Sequence, residues 1–113
     1  MDGHPTAPRL RRLPTASLLG LEVPVAGRFG ARLLGLAYLD REQAGCGLLI
    51  PRCSSVHTFG MRFPLDLYFL DESGAAVAVL LKVPRRRVVA CRGASAVLEI
   101  PAPEGGEVFS PAP

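Results

Sequence analysis

The order of apolar and polar positions along the chain changes character near residue 46. Upstream, "RFGARLLGLAYLD" (28–40) sets Phe29, Leu33, Leu36 and Ala37 three and four residues apart. That spacing gives a helix one apolar face, although Gly30 and Gly35 weaken it. It is the one segment of helical character, so a single short helix is expected near Arg28 to Leu39. Downstream, short apolar or alternating runs are cut by Pro, Gly and polar clusters, which is the grammar of strands. The runs are "CGLLI" (46–50), "SVHTF" (55–59), "LDLYFL" (65–70), "AAVAVLLKV" (75–83), "RRVVAC" (86–91) and "ASAVLEI" (94–100).

Turn chemistry ties some of these runs together. "DESG" (71–74) is the strongest hairpin signal, a type I turn with Gly74 at the left-handed position. Arg92-Gly93 marks a second candidate hairpin. Ahead of the helix, "SLLGLEVPV" (17–25) reads as a first strand, with Pro24 acceptable only near an edge or end. Many short strands with one helix predict a mainly β fold: a small single-domain β-sandwich or partly open barrel.

At 113 residues the chain suits one core. Residues 1–15, Pro-rich and basic, are expected to be a disordered arm, residues 16–109 a single β domain, and residues 110–113 a tail. The stretch "PAPEGGEVFSPAP" leaves room for at most one strand, around Glu107 to Phe109. No apolar run reaches the length of a membrane span. The N-terminal region loosely imitates an export signal, but Pro14, Glu22 and Pro24 interrupt it, so a cytoplasmic location is expected.

The net charge of +3 and pI near 9.1 raise the question of nucleic acid. Twelve of the 13 basic residues are Arg, which resembles coding bias more than a selected surface. The runs at Arg85–Arg87 and Arg9–Arg12 lack aromatic companions for base stacking, and nucleic acid is disfavoured as a partner. Cys46, Cys53 and Cys91 form neither a disulfide framework nor a zinc pattern. With His57 as the only histidine outside the N-terminal arm, neither a metal site nor a cofactor is expected.

With the strands placed, "GLLIPRCSSVHTFGMRFPLDLYFLDESG" resembles a small prokaryotic family known as domain of unknown function 192. The resemblance rests on Arg32, Gly35 and Leu36, on His57 and Met61, on Pro64, Leu65 and Asp66, and on Val97, Leu98 and Glu99. It spans roughly residues 28 to 102 and implies a compact, mostly β domain with no established activity. Family members commonly close with a Gly-Asp strand, where this chain has "GGEVF" with Glu107 in place of Asp.

The polar residues of "VHTFGMRFPLD" (56–66) are the candidates for function. Asp66, beside Tyr68 on a central strand, needs a cation or several donors if buried, and Arg32 or Arg62 could supply one. Glu99 beside Val97 invites the same interpretation, so Arg32, Asp66 and Glu99 are expected to form a structural polar network. Two functional classes follow. The favoured one is a non-catalytic module that binds a protein or small-molecule partner through the rim of His57, Met61, Arg62 and Asp66. The competing one is a small hydrolase or transferase using His57 with Cys53 or Asp66. Cys53 and His57 are four residues apart, some 13 Å on an unbroken strand, and no nucleophile elbow or phosphate loop is present. A packing histidine with a backbone partner on one ring nitrogen and no open pocket beyond the other is therefore expected.

Overall fold

A computed structural model describes residues 5–103. The expected strand around Glu107 to Phe109 and the tail lie outside the described residues. The centre is a four-stranded antiparallel sheet in the order β3-β8-β5-β6. Its strands are β3 (Leu48–Pro51), β5 (Leu65–Leu70), β6 (Ala76–Val83) and β8 (Ala96–Pro101). Two small antiparallel pairs flank it: β1 (Thr15–Leu18) with β2 (Leu21–Pro24), and β4 (Ser55–His57) with β7 (Val88–Ala90). The fold is mainly β, as expected, and the described residues form no closed barrel.

β5 and β8 are central and covered on both sides, which is why "LDLYFL" and "AVLEI" carry apolar residues at consecutive positions. One face of the sheet presents Leu48, Ile50, Leu65, Leu67, Phe69 and Val97 to the larger core. That face is covered by the helical segments and by β4 and the chain after it, through Leu10, Leu36, Leu39, Val56, Met61 and Phe63. The other face carries Leu70 and Leu98, packed on Val23 with Leu18 and Leu21 of the β1–β2 pair.

The β5–β6 hairpin forms as predicted. Asp71 Oδ1 accepts from the Ser73 and Ala75 backbone N–H groups at 2.8 and 3.0 Å, and Gly74 takes φ +86°. β6 is the outermost strand, with Val77, Val79, Leu80 and Leu81 exposed, and its pairing to β5 shifts register at two places.

Four expectations are corrected. The first strand is a hairpin, because Leu19 and Gly20 turn the chain at φ +51° and +78°. β7 and β8 do not pair with each other: β7 joins β4, and β8 lies between β3 and β5. Instead of one helix there are, among the described residues, three short ones, α1 (Pro8–Arg11), α2 (Phe29–Leu34) and α3 (Arg41–Ala44). Lastly, part of the presumed disordered arm is built into the fold. Leu10 is buried, the Ala7 N–H donates to the Gln43 carbonyl at 2.8 Å, and Arg9 Nη2 donates to the carbonyls of Gly35 and Ala37.

Candidate functional site

The sheet's register separates the two acidic residues that the sequence suggested would work together. Asp66 lies opposite Ile100, and Leu67 lies opposite Glu99. Because side chains alternate along a strand, Asp66 belongs to the face of Leu98 and Tyr68, and Glu99 to the opposite face with Leu67.

Asp66 supports the backbone. β6 has two residues, Leu81 and Lys82, where β5 has only Asp66, so the strand bulges and Lys82 takes φ +53°. The Lys82 N–H donates to Asp66 Oδ1 at 2.9 Å, satisfying a donor displaced by the bulge. The partner is thus a backbone amide, and neither arginine proposed for a brace takes that place. Arg62 pairs with exposed Asp40 at 2.7 Å, and Arg32 Nη2 donates to the Arg52 carbonyl at 2.6 Å.

Glu99 is the unusual group. It is 2% exposed, and its Oε1 has no hydrogen-bond partner. Burial raises its pKa to about 7, while the Leu36 backbone N–H works in the other direction. Two glycines make room for its strand and side chain. A Cβ on Gly35 would sit 3.0 Å from Glu99 Oε1, and one on Gly47 would sit 2.4 Å from the Glu99 carbonyl oxygen. Gly35 ends α2 at φ +55°, which turns the chain so that the next residue's N–H reaches the carboxyl.

Glu99 lines a cavity of about 230 Å³ together with Arg32, Leu33, Ser55, Val56, His57 and Val88. α2 contributes Arg32 and Leu33, β4 contributes Ser55 to His57, and β7 contributes Val88 at the rim, where it is 69% exposed. Arg32 Nε is also buried without a partner. His57 is held at both nitrogens: the Phe59 N–H donates to Nδ1 at 3.2 Å, and Nε2 lies 2.9 Å from the Leu33 carbonyl. Since a backbone N–H can only donate, Nδ1 is the bare nitrogen and Nε2 carries the proton to Leu33. The histidine is a fixture of the wall, as expected, but it does line an open cavity, contrary to expectation.

The other predicted residues scatter. Met61 is buried in the larger core, so it is not part of an exposed rim. Arg62 stays on the surface with Asp40. Cys53 lines a separate hollow with Ser54, Glu72 and Ser95, and its thiol donates to the Ser55 carbonyl at 3.0 Å. A general base needs a free lone pair facing a nucleophile. His57 has its lone pair on Phe59, and neither Cys53 nor Asp66 lines its cavity. Among the described residues, no group of three or more His, Cys, Asp or Glu is placed to hold a metal. No helix among them is long and apolar enough to cross a membrane.

Sequence reasoning missed Leu33, Ser55, Val56 and Val88 as lining residues, and the unpartnered atoms Arg32 Nε and Glu99 Oε1. The alternation of Val97 and Glu99 did signal burial. Nothing local signalled that the carboxyl would lack a cation.

Comparison with known proteins agrees with this architecture. The pattern of a family described as an uncharacterized ACR, domain of unknown function 192, matches residues 13–105. No curated protein matches the chain. Two crystal structures share the fold. One, from Sinorhizobium meliloti, is of a protein suggested to be a transcription regulator. It has a TM-score of 0.65 at 22% identity, over 73% of this chain and 69% of that one. The second is a protein of unknown function from Novosphingobium aromaticivorans, with a TM-score of 0.58 at 17% identity over 80% of this chain and 83% of that one.

Proposed function

The chain belongs to the domain of unknown function 192 family, and we propose that it is a non-catalytic module that binds a small molecule in the cavity between α2, β4 and β8. One observation carries this: Arg32 and Glu99 line the same cavity, and each keeps a buried polar atom without a partner, Nε of the one and Oε1 of the other. Buried polar atoms in folded proteins are nearly always paired, and exceptions call for a specific cause, such as an ordered water, an ion, a strained site or a ligand. The binding surface is therefore centred on Arg32, His57 and Glu99, and of the expected rim it keeps only His57. An enzyme built on His57 with Cys53 or Asp66 has less support, because those side chains have other partners.

Equilibrium dialysis against a pool of small polar metabolites tests the proposal. The wild type should retain at least one compound that Val88→Trp, which fills the cavity mouth from an exposed position, does not retain. Equal retention by both proteins, or retention of nothing, overturns it.

A further inference from the structure

Exposed apolar side chains scattered singly over a surface need no explanation, but a cluster of them does. Four of the five most exposed large apolar side chains among the described residues are Leu33, Tyr38, Phe59 and Val88, at 50 to 69%. The fold gathers them around the short stretch from His57 to Gly60. Val88 lies opposite His57 across the β4–β7 pair, the Leu33 carbonyl meets the His57 ring at 2.9 Å, and the Phe59 ring centroid is 6.1 Å from that of His57. Tyr38 leans on Gly60. Its N–H donates to the Gly60 carbonyl at 2.8 Å, and a Cβ on Gly60 would stand 2.9 Å from Tyr38 Cζ.

A basic loop is fastened to the same stretch. Buried Thr58 donates from Oγ1 to the Pro84 carbonyl and accepts there from the Arg87 N–H, both at 2.8 Å. Its backbone N–H donates to the Arg87 carbonyl, and its carbonyl accepts from the Arg86 N–H. Arg85, Arg86 and Arg87 are thereby held exposed beside the apolar cluster, and no ion pair among the described residues engages them. Arg86 and Tyr38 each take φ +65°, a costly conformation for a bulky residue that the fold nevertheless maintains at its surface. No Asp or Glu occurs from Gln43 to Leu65 or from Ser73 to Leu98, the stretches that supply Phe59, Val88 and the loop. Asp40, two residues after Tyr38, is paired with Arg62 at 2.7 Å.

We propose that this surface docks an acidic segment of a partner protein, one in which carboxylates flank one or two large apolar side chains. The carboxylates meet Arg85, Arg86 and Arg87, and the apolar side chains settle among Leu33, Phe59 and Val88, with Tyr38 at the border. Tyr, Phe and Arg are residues enriched in protein interfaces, and a loop fixed before binding loses little freedom on docking. A single-stranded nucleic acid would use the arginines and the two rings but would leave the aliphatic Leu33 and Val88 against sugar and phosphate. Membrane insertion buries a continuous apolar face, whereas here a cavity with Arg32 and Ser55 in its wall opens beside Leu33 and Val88. The surface surrounds the mouth of that cavity and does not depend on its being filled.

A displayed library of random twelve-residue peptides, panned against the full-length protein, tests this. The enriched peptides are expected to be net acidic with one or two Leu, Ile or Phe, and a synthetic copy of the most enriched one should shift the amide resonances of residues 57–60 and 85–88. Arg85→Glu combined with Arg86→Glu is expected to weaken that peptide at least about tenfold, and Phe59→Ser at least about fivefold. Unchanged thermal midpoints show that these surface variants remain folded. A salt series on the wild type needs no variant: going from about 50 to about 500 mM NaCl should also weaken binding. Enrichment of basic or neutral peptides, shifts confined to residues outside the patch, or an affinity that ignores both the variants and the salt overturns the proposal. So does a panning that enriches nothing. Tighter binding by a twelve-nucleotide oligo(dT), or by phosphatidylcholine vesicles with about 30% phosphatidylserine, overturns it in favour of that partner. None of these outcomes bears on the dialysis result, which alone decides the small-molecule site.

Discussion

Asp66 and Glu99 sit one register step apart on neighbouring strands, yet the sheet gives them opposite roles. Asp66, 9% exposed, has a job defined by the chain itself: its carboxylate takes the amide that the β6 bulge turns out of the ladder. Glu99 is more deeply buried, keeps an unpartnered oxygen, and holds its proton up to about pH 7 because its charge is so poorly solvated. A carboxylate that completes its own backbone is structural. One that folding leaves incomplete costs stability, and that cost is what makes Glu99 the centre of the binding site proposed above.

The sharpest way to break this contrast is through pH. A carboxyl whose folded pKa of about 7 exceeds the ordinary 4.5 binds its proton more tightly in the folded state. The associated stability is complete below pH 4.5 and is lost as pH rises through 7, in total about 3 kcal/mol. Arg32 and His57 are the other ionisable groups lining that cavity. Glu99→Gln should thus match the wild type near pH 4 and be more stable by up to about 3 kcal/mol at pH 8. Denaturant midpoints over a pH series measure this, and a constant offset between the two proteins would show that Glu99 titrates normally.

Asp66 should respond with the opposite sign and a smaller size. Asp66→Ala strands the Lys82 N–H and is expected to cost about 2 kcal/mol in chemical denaturation. Asp66→Asn keeps an acceptor at the same position and should cost under about 1 kcal/mol. If Asp66→Ala left the midpoint unchanged, the bulge would be supported by something other than this carboxylate. The smallest expected effect concerns Cys53. Alkylation of its thiol should proceed at an ordinary rate and be unaltered in His57→Ala, as judged by mass spectrometry, because the two residues line different hollows.

How much of this was legible in the sequence depended on whether the determining contacts were local. The β5–β6 hairpin was readable because Asp71, Ser73 and Gly74 make the turn among themselves. The β1–β2 hairpin was not, since an apolar residue, Leu19, occupies a left-handed turn position that normally attracts Gly or Asn. The partners of β7 and β8 are set by burial across the molecule, and Arg92-Gly93 carries no information about them. α1 and α3, four residues each, are shorter than the window in which a helical period can be detected. At the site, the alternation around Glu99 announced burial. Its lack of a cation follows from where the Arg32 head goes, a contact 20 residues distant in sequence that no local pattern encodes.

The two register shifts along β6 have a consequence beyond the support of Asp66. Between them only three successive pairs remain in step, Leu67–Leu80, Tyr68–Val79 and Phe69–Ala78. A flat strand of eight residues rich in Val and Leu, at the border of a sheet, is a template on which further chains can stack into fibrils. Here an incoming strand would lose alignment after about 10 Å, at roughly 3.4 Å per residue. Each added chain would therefore inherit a broken ladder instead of a continuous one. The strand can be apolar enough to flank β5 while remaining a poor seed, and a deletion that straightened it would put that protection at risk.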